Sequence, residues 1–468
     1  MRTRFPGRAL SWRAFVAALL VVVAPALLAQ GTATPVGDDP WARLPGILSR
    51  IVAPTFPARD FVVTKFGAKG DGTRDASAAF RKAIEACNRA GGGRVVVPPG
   101  EFLTGPIHLK SRVNLHLEKG AIVRFLPDPA LYLPPVLTRW EGVELMGYSP
   151  LVYALDEESI AVTGEGTLDG GAGEAHWWPW KGKGPESQKP DRDRLFRMAE
   201  EGVPVAERVF GAGNRLRPPF IQPYRCRNVL IEGVTLTNAP FWVINPVLSQ
   251  NVTVRNVKVV SHGPNNDGCD PESSSDVLIE DSLFDTGDDC IALKSGRNAD
   301  GRRLATPVER VVVRRCTMKA GHGGVTIGSE ISGGARDVFV EKCEMSSPDL
   351  ERGLRIKTNA MRGGVVENVF VRDVTIGEVG NAIDIDMLYE EGAAGGFPPT
   401  VRNVRVERMT VGKAVHALFL RALDGSPLRG LVVADSTFRD VAKGNRVEGT
   451  VDLDLRNVTL VPRPPTQK

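Results

Sequence analysis

Four short polar clusters in the second half of the chain carry residue types that acid–base chemistry needs. They are Asn265-Asn266-Asp267, Gly287-Asp288-Asp289, Gly321-His322-Gly323 and Arg355-Ile356-Lys357. Two or three carboxylates at one site divide into an acid and a base, because like charges raise one pKa. Glycoside hydrolysis uses that division. One carboxylic acid protonates the leaving oxygen and another carboxylate activates water, with separations of roughly 6.5–9.5 Å for inversion and about 5 Å for retention. Arg355 and Lys357, two apart on a strand, face the same side and suit an anionic substrate, Arg355 through a bidentate grip on a carboxylate. Each cluster alone has an ordinary structural explanation: a solvated turn, a tight bend, an exposed strand face. Their spacing joins them. Asp267 lies 22 residues before Asp289, Asp289 33 before His322, and His322 33 before Arg355. Asp288 and Asp289 would point to opposite faces of a flat strand, so both reach one site only through a bend, which Gly287 permits.

Those separations match a repeat. A polar residue, alternating apolar positions and a short polar turn recur from residue 227 to 440, as in RNVLIEGVTLTN (227–238) and ENVFVRDVTIGE (367–378). The first apolar anchors are Val229, Val252, Val277, Val311, Val338, Val369, Val404 and Leu431, with successive gaps of 23, 25, 34, 27, 31, 35 and 27 residues. Period-two alternation is strand patterning, and no unit holds a helix-length amphipathic stretch, which disfavours a βαβ sheet or TIM barrel. One solenoid coil per repeat, an all-β parallel β-helix, fits. Equivalent positions on adjacent coils then lie about 4.8 Å apart, and the four clusters form one exterior strip. Five residues past each anchor, Val234, Val257, Ser282, Cys316, Cys343, Val374, Met409 and Ser436 should stack inside. Cys316 and Cys343 would be ladder neighbours, with a disulfide between them an open alternative. A helix over Ser77–Arg89 (SAAFRKAIEACNR) is expected to cap the solenoid's first end, followed by strands in RVVVPPG, FLTGPIHLK and VNLHLEKGAIVRF. Gly67–Gly72 (GAKGDG) lacks nucleotide-loop spacing and reads as a turn. Residues 171–224, with Trp177, Trp178 and Trp180 and little alternation, should be a long loop or excursion walling a cleft.

Composition bounds the rest. With 468 residues, 42% apolar, 24% charged, 50 Gly and 34 Pro, the chain is globular and rich in turns rather than long helices. The formal charge of +4 comes from Arg2, Arg4, Arg8 and Arg13, leaving 55 basic against 55 acidic residues beyond residue 29. Overall charge therefore argues for neither nucleic acid nor an anionic membrane as partner. Residues 1–29 read as a secretory signal, with an apolar run Ala14–Leu28 short of the roughly 20 residues of a bilayer span. The mature protein is expected to be exported, to periplasm or medium, and monomeric. The expected divisions are the signal (1–29), a loose lead-in (30–58), a cap with the first coils (59–130), the catalytic β-helix (131–462) and a tail (463–468). Six cysteines without CxxC spacing make neither a disulfide scaffold nor a zinc site.

The set NND-G-C-D (265–270), TGDDCIALKSG (286–296), GHGGVTIGSE (321–330) and RGLRIKT (352–358), with VTKFGAKGDGTRD and VTGEGTLDG (162–170) upstream, resembles glycoside hydrolase family 28, the polygalacturonases. The resemblance implies a right-handed parallel β-helix and metal- and cofactor-independent hydrolysis, with inversion, of α-1,4 bonds in an anionic pectic polysaccharide. By position, Asp288 resembles the family's general acid, and Asp267 and Asp289 the pair that activates water. His322 resembles the residue supporting the acid's protonation. Arg355 and Lys357 resemble the binders of the substrate carboxylate, Tyr389 the substrate-contacting tyrosine, and Asn265 the motif's supporting asparagine. Asn266 departs from the family's usual threonine. His322 favours galacturonan over rhamnogalacturonan. Closure of one cleft end by residues 171–224 would favour exo attack. Two other readings keep the β-helix. A calcium-dependent lyase or epimerase would use the acids as oxygen ligands but leave the GHG and RIK clusters idle. A non-catalytic binding solenoid would tolerate loss of the acids.

Overall fold

The computed structural model describes residues 39–464; the signal-like segment and the last residues of the tail lie outside them. The chain winds into a right-handed parallel β-helix. One sheet of 13 parallel strands runs from Asp60–Val62 to Val451–Arg456, taking one strand from each coil. The anchors foreseen from sequence are its rungs: Val229 pairs with Val252, Val252 with Val277, Val277 with Val311, and the series continues unbroken to Leu431. The foreseen interior column is buried throughout, from Val234 and Val257 to Met409 and Ser436. Cys316 and Cys343 sit in it as neighbours, and all six cysteines are buried free thiols, so no disulfide joins them.

Two left-handed residues per coil turn the chain between sheets. One immediately precedes the anchor (Asn228, Asn251, Asp276, Asn368 and Asn403, φ 53–57°) and the other precedes the interior residue (Gly233 at 80°, Asn256 at 54°, Asp281 at 52°). Asn, Asp and Gly tolerate that conformation best and hold most of these positions, while Arg310, Arg315, Lys342 and Arg408 adopt it in the others. The asparagines also bond rung to rung, Asn251 Nδ2 donating to Asn228 Oδ1 at 2.7 Å and Asn403 to Asn368 at 2.7 Å.

The cap helix spans Ser77–Arg89 as expected and buries Phe80, Ala83, Ile84 and Cys87 against the first coils. Two expectations need correction. Residues 39–58 are not a loose lead-in: Pro40–Arg43 and Leu44–Leu48 are helical. Trp41, Leu44 and Ile47 pack on an apolar stripe, Leu278, Val312, Phe339 and Phe370, on the outer face of the 13-stranded sheet. That stripe is apolar at positions an exposed sheet face would make polar, because something covers it. Nor is 171–224 simply a loop. It holds the helix Lys189–Glu200 and the strand Ile221–Tyr224, which joins a coil beside Val152–Leu155. Its strand Val209–Phe210 pairs with the β-hairpin Val136–Trp140/Val143–Gly147. Burial of Trp140, Leu195, Phe210, Phe241 and Trp242 in a second apolar cluster fixes hairpin and insertion together.

Candidate active site

Ladder pairing sets the geometry. Ile291 pairs with Val325 and Val325 with Leu354, which puts Asp288, His322 and Glu351 level on successive coils. Cys269 bridges Ile291, which puts Asp267 level with Asp289. Arg355 pairs with Thr326, so it lies further along its strand than His322 rather than beside it. The long side chains of Arg355 and Lys357 cover the offset and reach Asp289. The strip is thus a cluster of carboxylates flanked by His322 on one side and the cations on another. One oxygen each of Asp267, Asp288 and Asp289 lie within 4.8 Å of one another.

The three carboxylates differ in surroundings. Asp289 is fully buried; its Oδ1 accepts from Thr326 Oγ1 at 2.9 Å and Arg355 Nη1 at 3.2 Å, and its Oδ2 from Lys357 Nζ at 2.8 Å. Burial works to raise its pKa, but Lys357 and Arg355 outweigh this and hold it well below the usual carboxylate range. Asp288 is half-buried at the cleft. Its Oδ1 bonds His322 Nδ1 at 2.9 Å and the Asp289 backbone N–H at 3.0 Å, and Asn265 Nδ2 approaches Oδ2 at 3.4 Å. Burial pushes its pKa up, but the His322 hydrogen bond together with the charges of His322 and Lys357 outweighs it, so the net shift is downward. His322 is raised by the same bond, with Glu351 Oε1 3.9 Å from its Nε2 adding to it. Asp267 is the reverse case. It is 2% exposed, its Oδ1 has no hydrogen-bond partner, and burial with Asp288's charge pushes it up to about 8 against the pull of Lys294. The environments push the carboxylates apart, one held ionised and one holding a proton. The raised pKa of Asp267 favours it as the carrier of that proton in the free protein, whereas the family resemblance places the acid at Asp288. Coupled groups this close titrate as a unit.

Asp267's raised pKa makes a stability prediction. The folded chain keeps a proton that the unfolded chain releases near pH 4, so this group favours the fold at acid pH and the advantage is lost as pH rises through about 8. Asp267→Asn should therefore melt about 2 °C or more above the parent at pH 9, with the gap closing by pH 5. Thermal melts across pH check it; a gap independent of pH contradicts the assignment.

Sequence reasoning named no role for several residues that complete the site. Lys294 is 3% exposed, with Nζ 3.5 Å from Asp267, 4.0 Å from Asp270, 3.2 Å from Glu330 and 4.4 Å from the centroid of the Trp242 ring. Asp270, also fully buried, is raised well above its usual range by burial and by Asp267. Lys294, Glu330 and Asp270 stand inside the quoted motifs, where each reads as one more charged residue on a strand. Arg217 had no signal at all. Wholly buried, it donates to Asn265 Oδ1 at 2.7 Å and to the carbonyls of Pro240 and Pro264 at 2.9 and 2.6 Å, so it fixes the turn that carries Asn265. Asn266 locks the same turn: its Oδ1 accepts from Ser261 and from Gly263 N–H, and its Nδ2 donates to Ala239 O. A threonine lacks that reach, which gives the departure at this position a local role. Tyr389 lies with its ring 5.3 Å from Arg355 and 5.2 Å from Lys357.

These groups line or underlie a cleft of about 450 Å³, walled by Glu141 of the hairpin, Lys181 and Arg192 of the insertion, Trp242, and Tyr389 with Glu390. Acidic and basic side chains converge in it on a rigid sheet, the arrangement of a polysaccharide-cleaving β-helix enzyme. Comparison with known proteins agrees. The family model "Glycosyl hydrolases family 28" matches residues 208–439, and "Rhamnogalacturonase A/epimerase, pectate lyase-like" matches residues 61–116. The crystal structure of a hyperthermoactive exopolygalacturonase from Thermotoga maritima superposes with a TM-score of 0.86 at 45% identity, over 90% of this chain and 95% of that one. A probable polygalacturonase from Vitis vinifera is 27% identical over 85% of this chain and 78% of its own length. An exo-poly-alpha-D-galacturonosidase from Dickeya chrysanthemi is 28% identical over 74% of this chain and 62% of its own. The chain belongs to glycosyl hydrolase family 28 and is a glycoside hydrolase.

Proposed function

We propose that the protein is exported and hydrolyses α-1,4-galacturonide bonds of polygalacturonate from a chain end, with inversion and without a metal ion. The observation that carries this is the meeting of Asp267, Asp288 and Asp289 at one point, in environments that hold one ionised and another protonated. Asp288, the carboxylate reaching into the cleft, gives its proton to the leaving oxygen; Asp267 and Asp289 orient and deprotonate the attacking water. For Asp288 to act as acid, the cluster's single proton passes to it when substrate fills the cleft and closes off water. His322, able to donate or withhold a proton at Asp288 Oδ1, controls that transfer.

The closest carboxylate oxygens lie within 4.8 Å, nearer the spacing of retaining enzymes than the roughly 6.5–9.5 Å usual for inversion. The partners of the carboxylates nonetheless favour water as the attacker. Asp289 is buried and gripped by Arg355, Lys357 and Thr326, so it is not free to form a bond to the sugar, while Asp267, buried beside Lys294, keeps an unpartnered Oδ1 that can accept a proton from water. Lys294 beside Asp267, and Arg355 with Lys357 on Asp289, already neutralise much of the negative charge a divalent ion would need, which supports metal independence. Exo attack is supported by two relatives, an exopolygalacturonase and an exo-poly-alpha-D-galacturonosidase, and by the hairpin and insertion that wall the cleft.

The test is a time course of polygalacturonate digestion, with products resolved by size and their first-formed anomer read by NMR. Inversion at an α-bond gives the β-anomer first, and a single short product accumulates from the start. Unsaturated ends, or activity abolished by a chelator, would replace this reading with a lyase. The α-anomer first would overturn inversion alone. Arg355→Ala is expected to raise KM about tenfold or more with a smaller fall in kcat, because it loses a grip on the substrate carboxylate in ground and transition states alike. A large loss of kcat at unchanged KM contradicts that role.

A further inference from the structure

The hairpin Val136–Trp140/Val143–Gly147 lies over the coils that precede the site in the chain. Beneath it Gln222 and Asn245, which sit on the rungs leading towards Asp270, have no exposure. Thr138 Oγ1 donates to Gln222 Oε1 at 2.6 Å and Gln222 Nε2 to the Arg139 carbonyl at 3.3 Å, so the hairpin is bonded down onto the sheet. Its turn is pinned as well. The Arg297 N–H donates to Gly142 O at 3.0 Å, and a Cβ on Gly142 would stand 2.6 Å from Arg297 N. The hairpin therefore covers these rungs and keeps Gln222 and Asn245 from a sugar chain. On the coils beyond the site, Asn381, Asp386, His416 and Phe419 are half-exposed.

The turn residue beside Gly142 is Glu141, with φ 41°, and its side chain lines the cleft on the hairpin's side. Its Oε2 is 4.0 Å from Arg297 Nη1, an ion-pair contact rather than a hydrogen bond. Arg297 is meanwhile hydrogen-bonded to Glu330 at 3.1 Å and Glu391 at 3.3 Å. The Glu141 carboxylate is therefore held in place electrostatically with its lone pairs open to the cleft. Arg192 and Lys181 line the same wall. We propose that Glu141, Arg192 and Lys181 form the subsite for the terminal uronic acid unit. The two cations take its carboxylate, and Glu141 accepts a hydrogen bond from the hydroxyl that a terminal unit has and an internal unit has lost to its glycosidic bond.

This rests on the reading of the chain as a polygalacturonate hydrolase, and the test separates the two. Purified oligogalacturonides of defined length are digested by the parent, Glu141→Ala and Glu141→Gln. Two modified sets are digested alongside: oligomers whose non-reducing unit is 4,5-unsaturated and lacks its hydroxyl, and oligomers reduced to the alditol at the other end. The parent should discriminate about tenfold or more in kcat/KM against one of the two modified ends, roughly what loss of one charged hydrogen bond gives. Glu141→Ala should raise KM for unmodified oligomers by a similar factor and lose that discrimination, while Glu141→Gln restores part of it. Arg297 keeps Glu330 and Glu391 as partners in either variant, so an unchanged melting temperature is expected and would separate the effect from misfolding. Equal handling of both modified ends by the parent, or discrimination that persists in Glu141→Ala, overturns the subsite. Failure of the parent to cleave any oligogalacturonide overturns the reading beneath it instead.

Discussion

Asp288→Asn is expected to lower reducing-end release from polygalacturonate by about 10⁴-fold, with an unchanged melting curve near neutral pH. General acid catalysis is worth 10²–10⁴, and an amide at this position also removes the charge that strengthens the hydrogen bond to His322. The Asp288 side chain is 14% exposed at the cleft, and its loss leaves no buried charge without a partner: Asp289 keeps Arg355 and Lys357, and Asp267 keeps Lys294. The fold should therefore tolerate the change. Single-turnover assays on the variant, alongside its thermal melt, decide the matter. Activity within about tenfold of the parent would remove Asp288 from the proton-transfer step and leave Asp267, whose raised pKa favours it as the proton's carrier, as the acid.

Lys294→Met should damage stability and rate together. The ammonium group stands between Asp267, Asp270 and Glu330, all buried, and removing a buried ion's partner costs about 3–5 kcal/mol. The sign of the pH dependence follows from Glu330, which burial would raise but which Lys294, first among its neighbours, and Arg297 hold well below its usual range. Without the lysine the carboxylates avoid the cost only by taking up protons. The melting deficit should thus be small near pH 4 and grow towards pH 8. Asp267, no longer opposed by the lysine, would stay protonated to higher pH and could not accept a proton from water, so kcat should fall about 100-fold or more at neutral pH. A deficit that is flat with pH would mean that Lys294 supports the fold by packing on Trp242 alone. Lys294→Arg keeps the charge but not the compact head, and tests whether charge suffices.

The fold was legible because a solenoid repeats its constraints. Each coil needs an anchor, a left-handed turn residue and an interior side chain, and eight coils from Val229 to Leu431 show the same five-residue step from anchor to interior residue. The lead-in was misread because its evidence lies elsewhere in the sequence. Leu278, Val312, Phe339 and Phe370 are apolar at outward positions, but nothing in the coil pattern says that Trp41 covers them. The insertion hid its helix because Lys189–Glu200 buries only Leu195 and Ala199, too few to show a period. At the site, Asp267, Asp288, Asp289 and His322 were found because the rungs bring like motifs level. The register of Arg355 was missed because a count between loops does not fix which residues pair. Arg217 and Glu141 act through long-range contacts to backbone and to the cleft, for which no local pattern exists.

The Trp41 contact bears on the order of events in folding. Among the first residues that the structure describes, Trp41 lies under the Arg372 guanidinium, 3.9 Å from its ring centroid, and donates through Nε1 to Glu407 at 3.3 Å. Its dock is therefore assembled from parts that lie between 237 and 366 residues later in the chain, from Leu278 to Glu407. Until the last of them is in place the dock is incomplete, and coils can wind in succession without it. Its seating marks completion of most of the winding, and afterwards it ties several coils into one clasp against fraying.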